Sequence, residues 1–235
     1  SPTSRTTMTM SFWMKVGKQN NGTSVFALTG TGNNYETIQY VSPSNGNSWP
    51  PNSIRVTGPY MSGQQGAIVT NAVFRDPAAW YHVVVVYDTT NATAADRIRL
   101  YVNGVRYTSF YSSTNSNQNN TTTEWLVSGT QSDIGITGGA TNQTFDGYMT
   151  EINFVDGQAL SPYAFGNFNS YGVWAPIAYS GAYGNNGFHL NFSNTANTTA
   201  LGYDSSPQGN NWTTNNISLT AGSTYDAMVD VPTLT

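Results

Sequence analysis

The run Trp80-Tyr-His-Val-Val-Val-Val-Tyr87 constrains the fold more than any other feature of the chain. Its β-branched and aromatic residues favour a strand, and both alternating sets of positions are apolar, so the strand must be covered on each face. A lone sheet with one wet face cannot hold it. Shorter segments supply the neighbours. Thr7 to Lys15 alternates Met8, Met10, Phe12 and Met14 with Thr7, Thr9, Ser11 and Trp13, the period of a half-buried strand. Arg97 to Val102 turns Ile98, Leu100 and Val102 to one face, Asn103-Gly104 predicts a type I′ turn, and Val105 to Thr108 returns. Gly147 to Val155 alternates again, and Phe188, Leu190 and Phe192 face opposite to His189 and Asn191. Ser42 to Ser53 and Ser109 to Thr123 are rich in Ser, Asn and Thr without periodicity and are expected to be long surface loops. Asp88 to Asp96 reads as a polar loop, and helical spacing is nearly absent, with at most one turn over Ser161 to Gly166. Many short strands between turn signals predict an all-β, antiparallel β-sandwich.

A length of 235 residues is enough to bury such a core, and 38% hydrophobic residues supply it. Only 9% of residues are charged, so the surface is solvated by the hydroxyls and amides of 32 Thr, 27 Asn and 23 Ser. A net charge of −4 and a pI near 4.8 remove the basic footprint that phosphate-backbone binding requires, so no nucleic acid partner is expected. The absence of Cys excludes a disulfide framework, a thiol nucleophile and Cys-ligated zinc. No apolar run reaches the ~20 residues of a membrane span, so no membrane insertion is expected. All eight Lys and Arg lie between Arg5 and Arg106, while residues 107–235 hold eight of the twelve acids. The two parts, +4 and −8, either fold against one another or form complementary faces in an assembly.

His82 and His189 are the only histidines. His82, inside the apolar run, is expected to be a hydrogen-bonded core residue, and His189 alternates outward. Neither adjoins a nucleophile elbow, and the chain contains no Walker loop, H-E-x-x-H or G-x-G-x-x-G motif.

Phe12-Trp13, the run from Trp80 to Tyr87, Leu100-Tyr-Val-Asn-Gly104, and Gly147-Tyr-Met-Thr-Glu-Ile-Asn-Phe-Val155 followed by Ala159-Leu-Ser161 form a series. In that order they resemble the laminin-G-like branch of the concanavalin A-like lectin/glucanase superfamily over roughly residues 6–165. The resemblance implies a concanavalin A-like jelly roll over 1–166, with residues 167–235 as a C-terminal extension packed on it and completing the sandwich. That extension, from Trp174-Ala-Pro-Ile177 through Gly209-Asn-Asn-Trp212 to Tyr225-Asp-Ala-Met-Val-Asp-Val-Pro-Thr233, is similar to the continuation of lectin-like modules in virion appendage proteins of tailed, especially marine, bacteriophages.

Sandwich glucanases of this superfamily carry an E-x-D-x-x-E strand in which one carboxylate attacks the sugar and another protonates the leaving oxygen. Glu151, Asn153 and Asp156 occupy that spacing here, but the middle acid is an amide and the last is shortened by a methylene. Without a bulge, Glu151 and Asp156 would also point to opposite faces. No enzymatic activity is therefore expected. No cofactor is called for, except that the laminin-G-like resemblance allows calcium at a sheet rim, with Asp88, Asp96 and Asp133 as candidates.

Sugar binding needs an aromatic face for the ring and short polar groups for its hydroxyls. Trp49, within Asn47-Ser-Trp-Pro-Pro51, and Trp125, closing the Asn/Thr-rich stretch, are the candidate glycan-binding residues. The leading expectation is a virion-surface, extracellular fibre or decoration module that adheres to a host-surface glycan. The partners then expected are other virion proteins and further copies of the chain, with a trimer as the form the resemblance implies. The alternatives are a purely architectural virion protein and a secreted cellular lectin or adhesin.

Overall fold

A computed structural model describes residues 1–17, 24–25, 36–43, 48–61, 64–121, 132–136, 144–222, 225–228 and 232. The strands are β1 (Thr7–Val16), β2 (Ser24–Val25), β3 (Ile38–Tyr40), β4 (Ile54–Met61), β5 (Gln64–Thr70), β6 (Tyr81–Asp88), β7 (Ile98–Val102), β8 (Val105–Tyr107), β9 (Phe110–Thr114), β10 (Gly147–Asp156), β11 (Gly166–Phe168), β12 (Trp174–Pro176) and β13 (Phe188–Leu190). They form a six-stranded sheet in the order β13-β10-β1-β6-β7-β8, a five-stranded sheet β2-β3-β4-β5-β9 and the ribbon β11-β12. Every pairing is antiparallel. Helix is confined to single turns at Ala94–Asp96, Pro162–Ala164 and Thr198–Leu201 among the described residues.

The main core lies between the sheets. Met8, Met10, Phe12 and Met14 of β1, Val83 and Val85 of β6, and Ile152 and Phe154 of β10 meet Ile38, Tyr40, Ile54, Val56 and Ile68 of the other sheet. The alternate valines, Val84 and Val86, lie in a second cluster with Val155, Phe165 and Tyr183 on the outer face of the six-stranded sheet. Both faces of the Trp80 to Tyr87 run are thus covered, as its composition demands. Asn103 and Gly104 adopt φ of 49° and 79°, the left-handed pair that a type I′ turn requires.

The Asn/Ser/Thr-rich stretch from Ser109 departs from expectation. Phe110–Thr114 is a strand, β9, at the edge of the five-stranded sheet, paired with β5. Four of its five residues are exposed, so backbone pairing holds it and no apolar period marks it in the sequence. Asp88 to Asp96 also holds a 3-10 turn, and the β13 alternation stops at Leu190 because Phe192 turns to φ 55°.

The C-terminal segment contributes to both clusters. β13 pairs with β10 and buries Phe188 and Leu190. Trp174 of β12 donates its indole N–H to His82 Nδ1 at 2.9 Å. An indole can only donate, so Nδ1 bears a lone pair, and Nε2 of the neutral ring donates to Ser11 Oγ at 2.8 Å. His82 is fully buried and stacked against Trp13, with ring centroids 4.9 Å apart. Its tautomer leaves no acceptor toward Ser11, so His82 is a core residue and not a base for that hydroxyl.

Burial pushes His82 down from 6.5 to about 3. The folded state therefore binds fewer protons than the unfolded chain below the unfolded pKa. The resulting stability is fully present above pH 6.5 and is lost as pH falls toward 3, at up to ~1.4 kcal/mol per pH unit. Urea midpoints should drop steadily between neutral pH and about pH 4, while the imidazole NMR signal of the folded fraction stays in its neutral form. A flat stability profile with a titrating His82 signal would show the assignment to be wrong.

Candidate functional site

The polar cluster on β10 begins with a β-bulge. Ser11 and Trp13 of β1 pair with Asn153 and Thr150, so three steps on β10 face two on β1. Glu151 takes up the extra residue at φ 50°. Glu151 Oε2 and His189 Nε2 lie 2.9 Å apart, His189 stacks on Tyr183, and the Tyr183 hydroxyl donates to Asn153 Oδ1 at 2.8 Å. Burial, the first cause, raises the pKa of Tyr183, with the acids Asp204 and Glu151 adding to it. The His189 backbone N–H is fixed by Asp204 Oδ1 at 2.8 Å, and the same carboxylate accepts the N–H groups of Ser206 and Asn210.

Glu151 opens into a cleft of about 780 Å³. One wall is Tyr148 to Glu151 of β10 with Trp80. The other is contributed by the C-terminal segment, including Phe192, Thr195, Tyr225 and Asp226. The volume is that of a small-molecule site, and the mixture of aromatic rings with a few carboxylates and hydroxyls suits an amphipathic ligand. Six non-glycine residues have left-handed backbone among those described: four are asparagines, which tolerate it, and the other two are Glu151 and Phe192. Both line this cleft. A bulky left-handed residue costs about 1–3 kcal/mol, and such strain concentrates at functional sites.

The glucanase constellation is not assembled. Asp156, 2% exposed, accepts the backbone N–H groups of Thr3, Ser4 and Asn186 at 2.6, 3.1 and 3.2 Å, which ties the N-terminus and the loop before β13 to β10. A carboxylate so engaged is a structural acceptor. Asn153 is likewise committed to Tyr183 and to the Glu151 carbonyl. A bulge does occur in this strand, contrary to the simple alternation, but it falls at Glu151 itself and leaves Glu151 beside Asn153 and His189, away from the backbone amides that hold Asp156.

The other sequence candidates lie elsewhere. Trp49 is half-buried, with the Arg55 guanidinium 4.5 Å from its ring centroid, and Arg55 donates to Gln39 Oε1 at 2.6 Å. One indole face is therefore already stacked. Trp125 lies outside the described residues. Asp88 accepts from Thr90 and stands 4.0 Å from Arg99, Asp96 pairs with Arg106, and Asp133 lies in the 132–136 segment. Among the described residues no three His, Cys, Asp or Glu side chains converge on one point, so the three aspartates do not form a shared site there.

His189 and Glu151 were visible in the sequence only as an outward histidine and a strand acid. Tyr148, Phe192 and Tyr225 fall in strand patterns and motifs, but nothing in the sequence joined them into a site, because the cleft brings together segments about 40 to 80 residues apart in the chain.

The structure is similar to that of a Bacteroides ovatus protein provisionally described as carbohydrate binding, with a TM-score of 0.56 and 16% identity. The match covers 88% of this chain and 51% of that one, so the chain spans about half the length of that neighbour. Domain 4 of the extracellular arabinanase AbnA from Geobacillus stearothermophilus, solved with arabinotriose, matches at TM-score 0.45 and 19% identity over 68% of this chain and 65% of its own. A SAP-like pentraxin from Limulus polyphemus matches at 0.42 and 19%, over 68% and 67%. At 16% identity the first likeness speaks to fold alone. No curated protein sequence matches the chain. A family model for the concanavalin A-like lectin/glucanases superfamily covers residues 1–164, the part that holds β1 to β10, the bulge and the polar strand. The chain belongs to the concanavalin A-like lectin/glucanases superfamily.

Proposed function

We propose that this chain is a non-enzymatic glycan-binding module and that the cleft between β10 and the C-terminal segment receives the saccharide. The observation that carries the reading is the coincidence of that cleft with Glu151 and Phe192, the two strained residues that are not asparagines. Exposed Tyr148 and Tyr225 offer rings for the C–H face of a sugar, and Thr195 and Asn191 offer hydrogen bonds to hydroxyls. The proposed contacts do not call on calcium or any other cofactor. Catalysis is not proposed: the paired acids of the superfamily's glucanase strand are not assembled on β10, where Asn153 replaces the middle acid and Asp156 is held by the backbone amides of Thr3, Ser4 and Asn186.

A glycan array probed with the intact chain is the direct test. At least one saccharide family should bind, and Tyr148→Ala should weaken it about tenfold, ~1.4 kcal/mol. Trp49→Ala is the comparison: loss of binding in that variant alone would move the site to the rim around Arg55. An array with no signal would remove the reading.

The resemblance of the extension to phage appendage modules supports a place on a virion surface, as an adhesive fibre or decoration. A second, architectural reading is favoured by one surface feature. Around Trp174, Tyr163 and Phe168 present half-exposed rings, and Tyr171 and Val173 on the ribbon turn are 89% and 58% exposed. Apolar side chains grouped in this way suit contact with another virion subunit or another copy of the chain. Sedimentation that shows an oligomer broken by Tyr171→Ser with Val173→Ser would support that role. A monomer at high concentration, and a parent particle in which this face touches nothing, would exclude it.

A further inference from the structure

We infer that the cleft accepts uncharged saccharides and rejects those bearing carboxylate, sulfate or phosphate groups, with Glu151 and Asp226 as the specificity-determining residues. This rests on the glycan reading above and adds the class of sugar to it.

The argument begins with the origin of the walls. Among the described residues, all that line the cleft apart from Trp80 come from the part of the chain after Arg106, which contains eight acids and neither Lys nor Arg. Neither β10 nor the C-terminal wall can therefore present a guanidinium or ammonium group in any rotamer. Such groups make the strong charge-assisted bonds that favour an anionic sugar over a neutral one. Lys15, opposite Tyr148 in the β1–β10 register and 6.0 Å from the Trp80 ring centroid, flanks the cleft but is not among its described lining residues. His189, which touches the site through Glu151, has Nε2 committed to that carboxylate.

The two lining acids are each held by one oxygen. Glu151 Oε2 is paired with His189 Nε2, and Asp226 Oδ2 accepts the Ser218 N–H at 2.7 Å. Glu151 Oε1 and Asp226 Oδ1 have no hydrogen-bond partner among the described residues. An ionised carboxylate only accepts, so these oxygens suit the O–H donors of a neutral sugar. A ligand carboxylate, sulfate or phosphate brings like charge to these two acids, and the neutral hydroxyls and amides of the described lining supply no positive charge to offset it. Trp80, Tyr148, Phe192 and Tyr225 supply the apolar surface that a sugar ring needs, and they do so without regard to charge.

The test uses the intact chain and matched oligosaccharides, a neutral parent with its sialylated and sulfated forms, by calorimetric titration at low and high salt. The neutral form is expected to bind at least about tenfold more tightly at low salt, with the gap narrowing as salt screens the carboxylates. In Glu151→Gln with Asp226→Asn, whose fold is checked by circular dichroism, the ratio of the two affinities should move toward one. Equal or tighter binding of the acidic forms by the unaltered chain would overturn the inference, as would an unchanged ratio in the folded double variant. Failure to bind any saccharide would instead remove the glycan reading, and this inference with it.

Discussion

A chain ending at Gly166 is expected to lose cooperative unfolding. The deletion removes β12 and β13, and with them Trp174, Tyr183, Phe188 and Leu190, all 8% exposed or less. It strips the edge of β10, where Ile152 and Phe154 pair with Leu190 and Phe188. It also removes Tyr179 and Tyr183 from the cover of Val84, Val86 and Val155 on the outer face and takes the indole donor from His82 Nδ1. Full burial of each large apolar side chain contributes about 1.5–3 kcal/mol. Losing several at once is comparable with the ~5–15 kcal/mol that stabilises an ordinary domain. Thermal unfolding followed by near-ultraviolet circular dichroism should then show a broad, weak transition or none. A sharp transition at the temperature of the whole chain would show that the C-terminal segment is an appendage and not a layer of the fold.

Trp174→Ala should be among the most damaging single substitutions, at about 4–8 kcal/mol. Emptying a packed indole site costs about 3–5 kcal/mol, and leaving a buried acceptor without its donor adds about 1–3. Collapse into the space is limited by what surrounds it. A Cβ at Gly104 or Gly166 would come within 2.5 or 2.6 Å of the indole, so both backbones already lie against the ring. Tyr163 and Phe168 close it edge-on, with centroids 5.2 and 5.1 Å away. Trp174→Phe separates the two effects: it keeps most of the packing and removes the N–H, so it should cost nearer 1–3 kcal/mol. Urea unfolding of both variants measures the difference. Equal stability of Trp174→Phe and the unaltered chain would mean that the bond to His82 contributes nothing.

The sequence carried what depends on neighbours along the chain. The Trp80 to Tyr87 run required cover on two faces because both alternating sets are apolar, and the Met8 to Met14 alternation marked one inner face. Asn103-Gly104 specified its turn because few other pairs tolerate two left-handed residues. The family was legible because its motifs lie on those strands. Tertiary structure decided everything that depends on which distant segments meet. β9 is a strand only because β5 offers an open edge to a polar stretch without a period of its own. Glu151 sits in a bulge whose register is set by β1, and its partner His189 arrives on β13 from 38 residues away. Trp49, a plausible sugar platform in isolation, is stacked by an arginine that the five-stranded sheet brings to it. The cleft itself exists because Asn191, Phe192, Thr195 and Ile217, with Tyr225 to Met228, line it together with the start of β10, a closure that no local pattern encodes.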